Sequence, residues 1–386
     1  MTFLGNLVLI LIATTLAGHL CARIGVPAVL GQLVVGIVIG PAMLGWVTNT
    51  TFIHDSAELG VIVLMFLAGL ESDLGQLRRF LKPSVLVAAL GILVPLVTTA
   101  AVAWAFGLSA MESLFIGVLF AATSVSISVA VMKELNLLNG KGGATILGAA
   151  VVDDVVAVVL LSVLVSVMSD SGAQTPLAVT LVEQVLYFAG IVVVVRFIAP
   201  TLAHLGKRLL LPVGPVLMAM ILCLGMAYVA DLVGLSAVVG AFFAGIAIGQ
   251  TKVRHAVNIA IEPIGYALFI PVFFVSIGLS MRFDGLREQL LFIAVMSLVA
   301  VLSKMIGAST GAKLAKFSWP EANFVGAGMI SRGEMALIIA QVGYQAQLIA
   351  TNTYSALVTV VIITTLVAPF LLKIAGQKLP ESVLED

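Results

Sequence analysis

The sequence predicts an all-α polytopic membrane protein with about thirteen transmembrane helices, inverted-topology repeats and two crossing interrupted helices. Three observations predict it. Charged residues are scarce, apolar runs of bilayer-spanning length recur from end to end, and the chain resembles itself at one constant offset. Of 386 residues, 61% are hydrophobic and 10% charged, whereas a soluble domain carries about 25% charged residues. With a formal net charge of +0 there is no electrostatic footprint for nucleic acid. Cys21 and Cys223 sit in apolar context and suggest neither a disulfide framework nor a metal site. No Lys or Arg precedes Arg23, so the first apolar run lacks the basic start of a cleaved signal peptide and reads as a retained helix.

At roughly 20 residues per span, the apolar runs centre on 3–21, 27–46, 56–72, 83–105, 111–132, 143–168, 177–199, 212–230, 232–250, 262–281, 288–311, 321–345 and 353–374. Asn-Gly at 139–140, Pro176, Pro212 and Trp-Pro at 319–320 mark breaks between them. The loops are short and leave no room for a soluble domain. Thirteen spans put the termini on opposite sides. Alternate loops then hold fifteen of the nineteen Lys and Arg on one side and only Arg282 and Arg287 on the other, with Lys304 and Arg332 inside spans. The positive-inside rule therefore puts the N-terminus outside and the C-terminus in the cytoplasm of a cell (inner) membrane.

The internal repeat is ungapped. Residues 28–40 read AVLGQLVVGIVIG and residues 237–249 read AVVGAFFAGIAIG, 209 positions later. The same offset pairs Glu112 with Glu321, Phe115 with Phe324 and Gly117 with Gly326. Span 2 thus maps on span 9 and span 5 on span 12. A shift of seven spans, an odd number, gives the two copies opposite orientations, the mark of secondary transporters with a midplane site. Gly36 with Gly40, and Gly245 with Gly249, are GxxxG pairs at equivalent positions; they serve internal packing or a subunit interface.

Span 6 reads GAAVVDDVVAVVLL. Asp153 and Asp154 lie twelve and thirteen residues beyond Lys141, about 18 Å at 1.5 Å per residue, near the midplane. Nothing structural requires a second adjacent carboxylate there, and such groups are costly unless paired, hydrated or protonated. Carboxylate is a hard oxygen ligand suited to sodium. Desolvation and mutual repulsion disfavour ionising both at once, so one site can hold either a cation or protons near neutral pH. Lys304, inside LVAVLSKMIGAS of span 11, is the natural counter-charge, with a snorkelling lysine as the alternative. Two carboxylates and one ammonium leave a charge of −1, which one monovalent cation neutralises.

In span 5, AATSVSISVAVM carries Thr123, Ser124, Ser126 and Ser128. Their hydroxyls either bond the preceding turn or mark an interrupted helix whose freed groups coordinate an ion. At the repeat offset, Thr123 maps on Arg332, Ser124 on Gly333 and Val125 on Glu334 within GMISRGEMALII. Arg332 and Glu334 can neutralise each other and Gly333 offers a break, so a pair of crossing half-helices is expected.

These residues also carry a family resemblance. GPAMLG at 40–45, FLAGLESDL at 66–74, ATSVSIS at 122–128, GAAVVDD at 148–154, FFVSIGL at 273–279, Lys304 and GMISRGE at 328–334 resemble the monovalent cation:proton antiporters, most of all the bacterial NapA-type sodium/proton antiporters. The resemblance implies a homodimer with a dimer domain from residues 1–80 and 206–285. It implies an ion-carrying core from 81–170 and 286–376, a linker helix over 171–205, a short cytoplasmic tail at 377–386, and elevator-like alternating access. It implies that Asp154 is the main ion ligand, that Asp153 is the partner of Lys304, and that Thr123 and Ser124 stand at the crossing. The double aspartate is the pattern of the electrogenic branch; electroneutral relatives carry asparagine at the position of Asp153. The transported species would be Na⁺ or Li⁺ against H⁺, with the lipid bilayer as the other partner, no cofactor and no enzymatic activity.

A potassium/proton exchanger of the same fold is the nearest rival, although its glutathione-gated members usually carry Gln-Asp and a nucleotide-binding domain. An intramembrane aspartyl protease needs two facing carboxylates from different helices. Adjacent residues on one helix point about 100° apart, which disfavours it. A passive cation channel does not call for inverted repeats or a titratable site.

Overall fold

The computed structural model describes residues 3–24, 27–72, 74–168, 177–281, 289–345 and 348–379, and every regular element among them is helical. In chain order these are α1 (Phe3–Arg23), α2 (Ala28–Ile39), α3 (Thr51–Glu71), the short α4 (Leu74–Arg79) and α5 (Leu81–Ala105). Next come α6 (Ala110–Ala121) and α7 (Val125–Glu134), two halves of one broken helix, and α8 (Lys141–Met168). α9 (Leu177–Val193) continues through a π-helical turn, Val194–Ile198, into α10 (Ala199–Arg208). α11 (Gly214–Leu232), α12 (Ala237–Gly249) and α13 (Arg254–Ile264) follow, and a second π turn, Gly265–Phe269, leads into α14 (Ile270–Leu279). The last elements are α15 (Leu290–Leu314), the broken pair α16 (Trp319–Gly328) and α17 (Glu334–Gln345), and α18 (Thr351–Gly376).

Among the described residues, nine helical stretches are long and apolar enough to cross a membrane, with α2 and α12 as shorter apolar helices. The chain is a multi-pass membrane protein. Local chemistry sets several ends. α2 stops at Ile39, short of the expected 46, because Gly40 turns extended (φ −80°, ψ −179°) ahead of Pro41, and proline excludes helical geometry from the residue before it. In the other direction, the span expected at 262–281 begins at Arg254. The polar residues Arg254, His255 and Asn258 hid this start from hydropathy, yet Val257 and Ile261 bury one face of the turn. Ser109 and Ser318 each close a capping box, with Glu112 and Glu321. Both serines follow, two positions on, a left-handed residue: Gly107 at φ 88° and Lys316 at φ 68°.

The chain divides into two compact units, Met1–Thr51 with Gln76–Asp153 and Phe274–Asp386, and Phe52–Gly75 with Asp154–Phe273. In the first, α5 lies along α15, which also packs on α16 and α18. The broken helix Ala110–Glu134 is central: 94% of its most apolar window is buried, against 17% for α1. In the second, α11 packs on α10, α12 and α13.

Among the close glycine crossings, one in each unit uses residues equivalent to those of the other. A Cβ on Gly278 would sit 2.7 Å from Gly36 Cα and from the Ile37 nitrogen, with the Leu33 carbonyl also in contact. A Cβ on Gly69 would meet the Phe242 carbonyl and lie 3.0 Å from the Ile246 nitrogen, and one on Gly245 would lie 2.7 Å from the Leu70 nitrogen. Gly69, Leu33, Gly36 and Ile37 stand 209 positions before Gly278, Phe242, Gly245 and Ile246. Both GxxxG pairs are therefore spent on internal packing, where missing side chains let backbones touch.

Candidate ion-binding site at two broken helices

The first break spans Ala122, Thr123 and Ser124, with Ala122 (φ −61°, ψ 145°) and Ser124 (φ −98°, ψ 109°) extended. A helix broken there frees carbonyls at the end of α6 and amides at the start of α7, which must find other partners when buried. The Ala121 carbonyl accepts from Lys304 Nζ at 2.8 Å. The Ser124 amide donates to the Ser331 carbonyl at 2.9 Å, and the Ser124 carbonyl accepts from Ser331 Oγ at 2.5 Å.

The second break lies between Gly328 and Glu334 and is answered in kind. Ser128 Oγ donates to the Gly328 carbonyl at 2.6 Å and lies 3.3 Å from Ser331 Oγ. Arg332 Nη1 turns back on its own break and donates to the carbonyls of Met329 (3.2 Å) and Ile330 (3.0 Å). Thr365 Oγ1 donates to the Arg332 carbonyl. Gly333 is required beside Ser124, since a Cβ there would lie 2.6 Å from Ser124 Cβ. The two breaks thus meet backbone to backbone. Ala121 and Ile330 stand 209 positions apart, and each carbonyl receives a buried cationic group, which suits the negative end of a half-helix.

Asp153 joins the first break. Its Oδ2 accepts from Lys304 Nζ at 2.8 Å and from Thr123 Oγ1 at 2.5 Å, while Oδ1 has no hydrogen-bond partner among the described residues. Asp153 is 1% exposed and Lys304 and Arg332 are 0% exposed. Charges this deep persist only when paired and hydrogen-bonded. Lys304 therefore pairs with an aspartate and does not snorkel. Gly91 on α5 lies beside it, with Lys304 Cε and Nζ both 3.7 Å from where a Cβ would stand.

Of the residues singled out by the sequence, Asp153, Lys304 and Thr123 come together directly, and Ser124 and Arg332 line the adjoining breaks. Asp154 is buried at 8% exposure, next to Asp153 on α8. The Glu334 side chain lies outside the described residues, so the expected Arg332–Glu334 pairing does too, as do Arg282 and Arg287. Sequence reasoning missed Ser331 and Thr365. Ser331 could have been found, because it sits beside Arg332 in the polar interruption; nothing marks Thr365 among the hydroxyls of α18.

A buried carboxylate with one oxygen unpartnered, beside an ammonium and between two broken helices, is equipped to take up a small cation or a proton. The model of the family described as "Sodium/hydrogen exchanger, transmembrane" matches residues 7–378. The chain belongs to the sodium/hydrogen exchanger family. A Na⁺/H⁺ antiporter of Enterococcus hirae is 52% identical over 98% of this chain and 99% of its own length. The Na⁺/H⁺-K⁺ antiporter GerN of Bacillus cereus is 42% identical over 96% of this chain and 95% of its own. Among solved structures, the sodium proton antiporter MjNhaP1 of Methanocaldococcus jannaschii superposes with a TM-score of 0.74, at 18% identity and 99% coverage of both chains. At that identity the likeness is one of fold. The family resemblance read from the motifs thus holds, and it is a family of monovalent cation:proton antiporters.

Proposed function

We propose that this exchanger moves Na⁺, or Li⁺, against protons, with cation and protons competing for Asp153 and Asp154. The observation that carries the reading is the unpartnered Oδ1 of Asp153, a buried hard-oxygen acceptor next to a second buried carboxylate. Asp154 would be the main cation ligand, Thr123 and Ser124 would add oxygens, and Lys304 would hold Asp153 until protons or cation displace it. Arg332 and Glu334 would support the second break. The reading extends to thirteen spans in two inverted copies, supported by glycine crossings and capping boxes that recur at the 209 offset. It further takes residues 1–80 and 206–285 as the dimer domain of a homodimer. Residues 81–170 and 286–376 would be the mobile core of an elevator cycle and 171–205 the linker, in the inner membrane with the N-terminus outside.

Proteoliposomes carrying a pH gradient test it. Sodium and lithium should dissipate the gradient, and Asp154→Asn should abolish the response while the protein still folds and inserts, because the change removes a charge and a hard oxygen at nearly constant volume. Wild-type exchange in that variant would sink the site assignment. A second reading, potassium in place of sodium, is favoured by the likeness to GerN. A potassium response as large as the sodium response would select it.

A further inference from the structure

One ion pair lies away from both breaks, where α8 and α16 begin. Lys141 Nζ is 3.1 Å from Glu321 Oε1 and 3.2 Å from Oε2, and 4.0 Å from the centre of the Phe317 ring. Glu321 Oε2 also accepts from the Ser318 amide (2.7 Å) and hydroxyl (2.8 Å), so the carboxylate is fixed from two sides. The Glu321 side chain is 9% exposed and that of Lys141 34%, so the pair is half-buried, with its carboxylate end inside.

From this pair the two helices run side by side in the same direction. A Cβ on Gly142 would lie 2.6 Å from the Phe324 ring, and one on Gly328 would lie 3.0 Å from Ile146 Cγ1. Asp153 stands twelve residues along α8 from Lys141, and the second break opens at Met329, eight residues along from Glu321. At 1.5 Å per residue those are about 18 and 12 Å. The ion pair at the helix starts thus lies on the same two helices as the aspartate and the break they carry.

Among the described residues, the other half of the molecule caps its helix without such a pair. Glu112, 209 positions before Glu321, closes the same box with Ser109, but the counterpart of Lys141 is Ala350. Capping alone does not need the lysine. We infer that Lys141 and Glu321 are a positioning pair, present on one side only, that holds α8 in register on α16 and so holds Asp153 at its height beside the second break.

The inference deepens the exchange reading and rests on it, so its test has one arm that needs no transport. Glu321→Gln keeps an acceptor for Ser318 and removes the charge; Lys141→Gln removes the partner. Each should raise the half-saturating cation concentration by roughly threefold to tenfold with the maximal rate changed by less than about twofold. The double variant should be no worse than either single one, Lys141→Arg should behave like wild type, and Glu112→Gln should change nothing. Spin labels at the exposed Asn139 and Asn323 should give a broader or displaced distance distribution in Glu321→Gln than in the parent. An unchanged distribution, additive losses in the double variant, or an equal loss in Glu112→Gln would overturn the pair. A wild type that shows no cation response would instead overturn the exchange reading, with the distances still deciding the pair.

Discussion

Thr123 and Lys304 both donate to the same oxygen of Asp153, and the other has no hydrogen-bond partner among the described residues; on the proposed reading that second oxygen takes the transported species. A hydrogen bond to an ionised carboxylate contributes about 1.5–3 kcal/mol, and a cation binds only that ionised form. Thr123→Val keeps the shape and removes the donor. The expected outcome is a rise of about tenfold in the half-saturating sodium concentration, read from gradient dissipation in proteoliposomes, with expression unchanged. Thr123→Ser should restore the wild-type value. A valine variant with unaltered sodium dependence would remove Thr123 from the site.

At the scale of the element, equivalent backbone devices recur in both halves and can be tested by substitution. Gly245 faces α3 and Gly36 faces α14 at backbone contact, so a side chain at either position forces helices apart. Gly245→Val and Gly36→Val should each destabilise the protein by about 1–3 kcal/mol, measured as a loss of thermal stability in detergent. Tolerance at one position and not the other would argue against equivalent crossings. The loop residue Lys316 offers the opposite sign. It holds φ 68°, where its counterpart is Gly107, and a left-handed conformation costs a residue with a Cβ about 1 kcal/mol. Lys316→Gly should therefore raise the melting temperature slightly, and a fall would show that the lysine side chain contributes more than its backbone costs.

For the whole molecule the question is charge per cycle. With Asp153, Asp154 and Lys304 ionised the site carries −1, and bound sodium brings it to zero. On the proposed exchange, two protons with Lys304 still charged would bring it to +1, so one cycle would move one net charge, at about 2.3 kcal/mol per 100 mV. Lys304→Gln leaves Asp153 without its cation in a buried site, where an isolated carboxylate is too costly to stay ionised. Residual exchange should then become electroneutral and lose its response to an imposed potential. A variant that answers the potential like wild type would show that another group carries the second proton. Orientation is tested with single cysteines in a background lacking Cys21 and Cys223. Labels near Arg79, Lys141 and Lys207 should react from the cytoplasm and one at Asn49 from outside. Reaction of both sets from one side would refute the opposed orientation of the two halves.

The sequence by itself determined the solvent, the family and the residues of interest. Those follow from composition, from apolar length and from rare polar residues in an apolar background, none of which depends on how helices meet. The break at Gly333 was legible because glycine and charge interrupt an apolar run. The break at Ala122–Ser124 was legible chiefly by repeat analogy, since alanine, threonine and serine are all compatible with a helix; Ser331 and Lys304 hold it open by taking the Ser124 and Ala121 carbonyls. Only the tertiary structure decided that Lys304 bonds Asp153 and a helix end at once, that Arg332 caps its own break, and that Lys141 pairs with Glu321. Each of these joins residues remote in sequence, and hydrogen-bond geometry between them depends on helix register, which hydropathy does not encode.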